Sequence, residues 1–210
     1  MSKLIRYITV SKGGQGEIVE KKSRFIATVR PVSSEEEALA FIAEMKKTYW
    51  DARHNCSAYI VGIDHPIMRC SDDCEPGQTA GRPMMDVLEG AGLRNVCVVV
   101  TRYFGGTLLG TGGLIRAYTA ATKAGLENSI IADRCPGFSL RVTCDYTLVG
   151  KLQYLIGTEG LACAGTDYSD VVTMEILVPS PDLDRIKKAI IEATNARVTM
   201  DVSDEKYLNL

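Results

Sequence analysis

The alternation of apolar and polar residues along the first third of the chain predicts three short strands, at residues 5–10, 16–20 and 24–29, with the turn-forming Lys12-Gly-Gly-Gln-Gly16 between the first two. The period then changes. Ala38, Phe41, Ile42, Met45 and Tyr49 recur at helical spacing, and Ser33 and Ser34 each stand three residues before a glutamate, Glu36 and Glu37, as a capping box requires. Residues 56–63 form the next strand candidate. Residues 64–82 are polar and without period, which predicts a long loop of the kind that often carries function. Pro83 sits where a helix can begin, and Met84, Val87, Leu88 and Ala91 continue it. An unbroken apolar run at 96–101 predicts a buried strand, and residues 114–128 a second long helix.

After Cys135-Pro-Gly the pattern restarts. Residues 138–144 read as a strand, 148–156 as a helix capped by Thr147, 161–168 and 171–178 as a strand pair around Ser169-Asp170, 181–194 as a helix with Ser180 as cap and Pro181 first, and 197–202 as a strand. This order, β-α-β-β-α-β, is the ferredoxin-like one. The fold class is therefore α+β with two domains, 1–135 and 136–210, divided near residues 134–137.

The 210 residues, 46% of them hydrophobic, are enough to bury a core in each part. The net charge of −2 hides an asymmetry: residues 1–135 hold 17 Lys and Arg against 15 Asp and Glu, whereas 136–210 hold 7 against 11. A balance of +2 and −4 is too weak for non-specific, field-driven nucleic-acid binding, so any RNA contact has to be a local patch. Seven cysteines, an odd number, in a chain whose opening residues read as no secretory signal fit a reducing cytoplasm. Apolar runs fall far short of the roughly 20 residues that span a bilayer, so no membrane role is expected.

The densest chemistry lies where the apolar strand candidate meets the second long helix. Gly105, Gly106, Gly110, Gly112 and Gly113 fall within nine residues, with Thr111 among them, and Arg102 and Arg116 flank the run. A glycine-rich turn into a helix exposes backbone N–H groups at the positive end of the helix dipole, the geometry that holds phosphate. The alternative is that these glycines serve only positive-φ turns and close packing. Tyr103 and Phe104 beside Arg102 supply the stacking faces that single-stranded RNA uses. Arg53 and Arg82 are candidate helpers, Arg53 provided that its strand neighbours the one at 96–101. In the polar loop, Asp72, Asp73 and Glu75 are candidates for a loop contact or for Mg²⁺, which favours carboxylate oxygens. His54, Cys56, His65, Cys70 and Cys74 lack the two close ligand pairs of a zinc site, and Cys56 with His54 lacks the orienting third group of a peptidase, so no metal, cofactor or catalytic set is expected.

Three stretches, Arg53-His-Asn-Cys-Ser-Ala-Tyr-Ile-Val-Gly62, Ser71-Asp-Asp-Cys-Glu-Pro-Gly-Gln-Thr-Ala-Gly-Arg-Pro-Met84 and Val98 to Tyr118, the last with the signature Arg102-Tyr-Phe-Gly-Gly-Thr-Leu-Leu-Gly-Thr-Gly-Gly113, together resemble the YigZ/Impact family over roughly residues 16–130. The resemblance implies a first domain like domain IV of elongation factor G (a ribosomal-protein-like βαβ fold) and a second, ferredoxin-like domain. Its eukaryotic members regulate translation by restraining the amino-acid-starvation kinase. Their additional partner-binding domain has no counterpart in these 210 residues, so kinase regulation is not carried over. The chain departs from the family pattern at Cys74, where glycine is expected, and at Gly77-Gln78, where a Ser-Gly pair is common. The expected function is a non-catalytic cytoplasmic protein that associates with RNA or the ribosome, with a protein partner in translation control as a related option. The alternatives are an enzyme acting on a phosphorylated small molecule or nucleotide, and a protein–protein regulator.

Overall fold

The computed structural model describes residues 4–209. Contacts group the described residues into two compact units, residues 7–133, and residues 134–209 together with residues 4–6.

In the first unit, β1 (Tyr7–Lys12) contributes Val10 to the core, and β2 (Gln15–Glu20), β3 (Ser23–Pro31), β4 (His54–Val61), β5 (Ile67–Ser71) and β6 (Val96–Tyr103) form an antiparallel sheet in the order β2-β3-β6-β4-β5. Three helices cover it, α1 (Glu35–Thr48), α2 (Gly81–Gly90) and α3 (Gly110–Glu127). Alternate residues of the central strands serve opposite faces: Val96, Val98 and Val100 join Phe25, Ala27, Leu88 and Tyr118 in one core, while Cys97 and Val99 join Phe41, Met45 and Tyr59 under α1 in another. Burial on both faces is the reason residues 96–101 read as a continuous apolar run. At the start of α1, Ser34 is the N-cap and accepts from Glu37 N at 3.3 Å, while the Glu37 carboxylate accepts from Ser33 N at 2.7 Å. Of the two capping pairs in the sequence, the Ser34 pair is used.

Two expectations need correction here. The polar stretch 64–82 is not all loop, because Ile67–Ser71 is a strand paired with β4 from Val61↔Ile67 to Ser57↔Ser71. It is an edge strand, exposed at every residue but the half-buried Met68 and without apolar alternation, so periodicity could not reveal it. The helices also begin early. α2 starts two residues before Pro83, which is tolerated because the first-turn N–H groups have no intrahelical partner, and α3 takes the glycines at 110–113 into its first turn.

In the second unit, β7 (Ile130–Cys144), which begins within the first, is followed by α4 (Val149–Thr158), β8 (Ala162–Tyr168), β9 (Val172–Pro179), α5 (Leu183–Thr194) and β10 (Val198–Val202), and the sheet runs β10-β7-β9-β8 with every neighbour antiparallel. Val172, Met174, Ile176 and Val178 alternate into a core shared with Leu152, Ile156, Ile186 and Ile190. A further strand, β11 (Lys206–Asn209), pairs with β7 and was not expected. Neither proposed cap is made: short 3₁₀ turns at Tyr146–Leu148 and Ser180–Asp182 precede the helices, and Ser180 Oγ donates to Glu205 instead.

Candidate functional site

The pairing of β4 with β6 places His54 opposite Arg102 and Asn55 opposite Thr101, so the strand that follows Arg53 does neighbour the one that ends at Tyr103. Beneath this edge lies a buried polar network. Arg102 Nη1 donates to Glu75 Oε1 at 2.6 Å, and Tyr118 Oη donates to the same oxygen at 2.8 Å. Cys56 Sγ lies 3.3 Å from Tyr118 Oη and 3.0 Å from the Asp72 carbonyl. His54 Nδ1 is 2.9 Å from the Asp73 carbonyl, which can only accept, so Nδ1 carries the proton and Nε2 faces Glu75 Oε1 at 4.0 Å. The Arg102 guanidinium stacks over Phe25 and Phe104, while Phe25 meets Tyr118 edge to face.

Burial, foremost, pushes both the Cys56 thiol and the Tyr118 phenol far above their ordinary ranges. Both groups stay protonated. A thiol in this state is no nucleophile, and the network acts as a floor, built on the Arg102–Glu75 ion pair, that fastens the 72–80 loop onto β4, β6 and α3.

The three acids of that loop diverge. Asp72 accepts from the N–H groups of Gln78, Ala80 and Gly81 at 2.8–2.9 Å, which caps the start of α2 from within. Burial alone would raise its carboxyl, but these three donors outweigh it and hold the group below the usual carboxylate range. Asp73 accepts from Asn55 N at 2.7 Å and pairs with Lys46 at 2.5 Å. Glu75 is spent on Arg102 and Tyr118. Among the described residues no group of three or more His, Cys, Asp or Glu side chains is placed to hold a metal, so the suggestion of Mg²⁺ at Asp72, Asp73 and Glu75 finds no ligand cluster.

The glycine run divides by role. A Cβ on Gly105 would stand 2.0 Å from the Lys22 carbonyl carbon, and Gly105 N donates to Ser23 Oγ, so this glycine permits a close backbone approach. Gly106 and Gly110 have φ of +85° and +71°, and a Cβ on Gly113 would crowd Leu109. Gly112 has no such reason, since its Cβ would meet only Arg116 Nη1 at 3.7 Å. The first turn of α3 carries no side-chain cap, and Thr111 and Gly112 on it and Arg116 on the second turn are exposed.

Above the network is a cleft of about 630 Å³ lined by Asp51, Arg53, His54, Arg102, Tyr103, Phe104 and Leu108. It gathers Arg53, Arg102, Tyr103 and Phe104 from the sequence-predicted set. Arg116 and the glycines from 110 onward lie on the first turns of α3, outside this lining, and Arg82 lies on α2 paired with Asp86 and Glu89. Arg102 is a correction of another sort: its side chain is 8% exposed and neutralised by Glu75, so it forms the floor and is not a free phosphate ligand. Asp51 and Leu108 were missed by sequence reasoning, since a lone acid after a helix and a loop leucine carry no signal.

Residues 21–126, which include the whole network and cleft, match the model of the Impact N-terminal domain, and residues 142–197 match a domain of unknown function, DUF1949. The chain is 39% identical over 202 residues to IMPACT family member YvyE of Bacillus subtilis, covering 96% of this chain and 93% of that protein. The chain belongs to the IMPACT family. IMPACT family member YigZ of Escherichia coli is 35% identical over 162 residues, covering 76% of this chain and 79% of that one. The mouse Protein IMPACT is 34% identical over 98 residues, or 44% of this chain and 30% of its own length, so the kinship with eukaryotic members is confined to part of each chain. A solved crystal structure of a hypothetical protein covers 94% of this chain and 97% of its own at 28% identity, with a TM-score of 0.61.

Proposed function

We propose that this IMPACT-family protein is a non-catalytic, cytoplasmic RNA- or ribosome-associated protein with a role in translation control. The observation that carries the reading is the cleft: exposed Arg53 and half-buried His54 share it with exposed Phe104 and half-exposed Tyr103 above the buried network, the pairing of cation and ring that nucleotides use. The uncapped first turn of α3 with Gly112, and Arg116 one turn on, extend the same reading to a second backbone phosphate. A thiol and a phenol both held protonated speak against nucleophilic chemistry at this floor. In this reading residues 1–135 form a domain like the fourth of elongation factor G, and residues 136–210 a ferredoxin-like domain, which the strand order β10-β7-β9-β8 with alternating direction supports.

The test is sucrose-gradient sedimentation of tagged protein from native lysate at low and high salt, with Arg53→Ala plus Arg116→Ala as the variant because neither side chain is buried. Salt-sensitive, arginine-dependent migration with ribosomal particles is expected. A wild-type protein that stays at the top of the gradient and fails to bind RNA overturns the reading in favour of an enzyme acting on a phosphorylated small molecule.

A further inference from the structure

The cleft holds a charge that phosphate recognition does not explain. Asp51 lines it together with Arg53 and Arg102, and among the described residues no lysine, arginine or histidine makes an ion pair with Asp51. Its partner is Tyr103, whose Oη donates to Asp51 Oδ1 at 2.8 Å. That bond orients the carboxylate, and its effect on the phenol, pushed upward first by the hydrogen bond itself, keeps Tyr103 a donor. The second oxygen, Oδ2, retains its lone pairs. A pocket meant only for phosphate gains nothing from an unpaired anion, because like charges repel at short range. A pocket meant for an ammonium ion alone would not set the exposed guanidinium of Arg53 in the same lining as that anion. A ligand that presents hydroxyl donors next to a phosphate satisfies both signs at once.

We propose that Asp51 reads the ribose hydroxyl of an RNA nucleotide whose phosphate lies toward Arg53 and whose base lies against Phe104 and Leu108. The inference rests on the RNA reading above and adds a selectivity to it: the site distinguishes RNA from DNA, since the 2′-hydroxyl is the donor that DNA lacks. Carboxylate acceptance from a ribose hydroxyl is the arrangement by which dinucleotide-binding folds hold their sugar, and it needs one fixed carboxylate, which Tyr103 supplies here. Phe104 and Leu108 are both exposed, at 55% and 83%, so the rim offers an apolar face to a base. Arg24 lies over the ring of Tyr103 at 5.8 Å.

The experiment measures fluorescence anisotropy of labelled eight-nucleotide uridine, deoxyuridine and 2′-O-methyluridine oligomers against the full chain at low salt. Uracil is used throughout so that no exocyclic amine competes for the carboxylate. The RNA oligomer is expected to bind roughly tenfold tighter than the other two, which is the worth of one hydrogen bond to a charged acceptor. Asp51→Ala is expected to weaken the RNA oligomer to the level of the deoxy one while leaving deoxy binding unchanged or tighter, because a negative charge is gone. Tyr103→Phe is expected to reduce the preference without abolishing binding. Equal binding of uridine and deoxyuridine oligomers, or an Asp51→Ala variant that tightens both alike, overturns the ribose assignment and leaves the RNA reading standing. A 2′-O-methyl oligomer bound as tightly as RNA also overturns it, since sugar pucker would then be the feature read. Binding to none of the three overturns the RNA reading itself.

Discussion

Arg102 and Glu75 meet at 2.6 Å with side chains 8% and 3% exposed, and Tyr118 closes on the same carboxylate oxygen at 2.8 Å. The arginine next to the glycine run is therefore a core residue whose charge is cancelled before any ligand arrives, and its role is to tie β6 to the 72–80 loop.

Truncating this arginine strands a buried carboxylate. Arg102→Ala is expected to destabilise the protein by about 3–5 kcal/mol, and removing both members of the pair by less than the sum of the single losses. Urea unfolding followed by circular dichroism measures both. A loss under about 1 kcal/mol for Arg102→Ala would show that water reaches the pair and that the burial argument is wrong.

Cys74 occupies left-handed backbone at φ +68°, at the position where family resemblance leads one to expect glycine, and Gln78 does so at φ +62° where the second residue of the usual Ser-Gly pair would stand. A side chain in this region costs about 1 kcal/mol relative to glycine. Cys74→Gly is therefore expected to raise the unfolding free energy by about that amount, with Cys74→Ala close to wild type because its Cβ keeps the strain. Thermal melts of the two variants side by side decide the matter, and a glycine variant no better than the alanine one refutes it.

Asp72 has its carboxyl held low in the folded state, so its contribution to stability is complete above the ordinary carboxylate range and is lost as acid protonates the folded group. The window lies below about pH 4. Urea midpoints of the wild type and Asp72→Asn at pH 7 and pH 3 are expected to differ most at the higher pH and to converge at the lower. Parallel curves across that range would mean that the three N–H donors do not stabilise the anion.

If the cleft stacks a base, Phe104→Ala is expected to weaken single-stranded RNA binding by about 1–3 kcal/mol with the salt dependence unchanged, whereas Arg53→Ala lowers the slope of log affinity against log salt by about 1. The pair of slopes, measured by anisotropy titration between 50 and 200 mM salt, separates stacking from phosphate contact. An identical change in both would place the two residues in one structural role.

Much of this architecture was legible in the pattern of residues, because the period of burial is written into it. The central strands, the five helices and the β-α-β-β-α-β order all follow from apolar spacing. What escaped was pairing at a distance. The loop at 72–80 reads as three solvated acids, yet Asp72 is consumed by its own backbone, Asp73 by Asn55 and Lys46, and Glu75 by a tyrosine 43 residues away. Tyr118 sat on an apolar helix stripe beside Ala117 and Ala121, with nothing to mark its hydroxyl as the centre of a network. The edge strand β5 and the early helix starts were lost for a local reason, since glycine and polar residues carry no period.

One end of the rim is closed to any side chain, while positions 107 and 108 beside it are open to change. A methyl group at Gly105 would strike the Lys22 backbone, Gly106 and Gly110 face open space but hold left-handed backbone that strains any side chain, and only the side chains at 107 and 108 between them are both exposed and unconstrained in this way. The rim is thus an exchangeable cassette on a fixed mount. Changes at 107 and 108 alter the surface that the cleft presents without touching the mount, whereas any side chain at 105 displaces the Lys22 backbone.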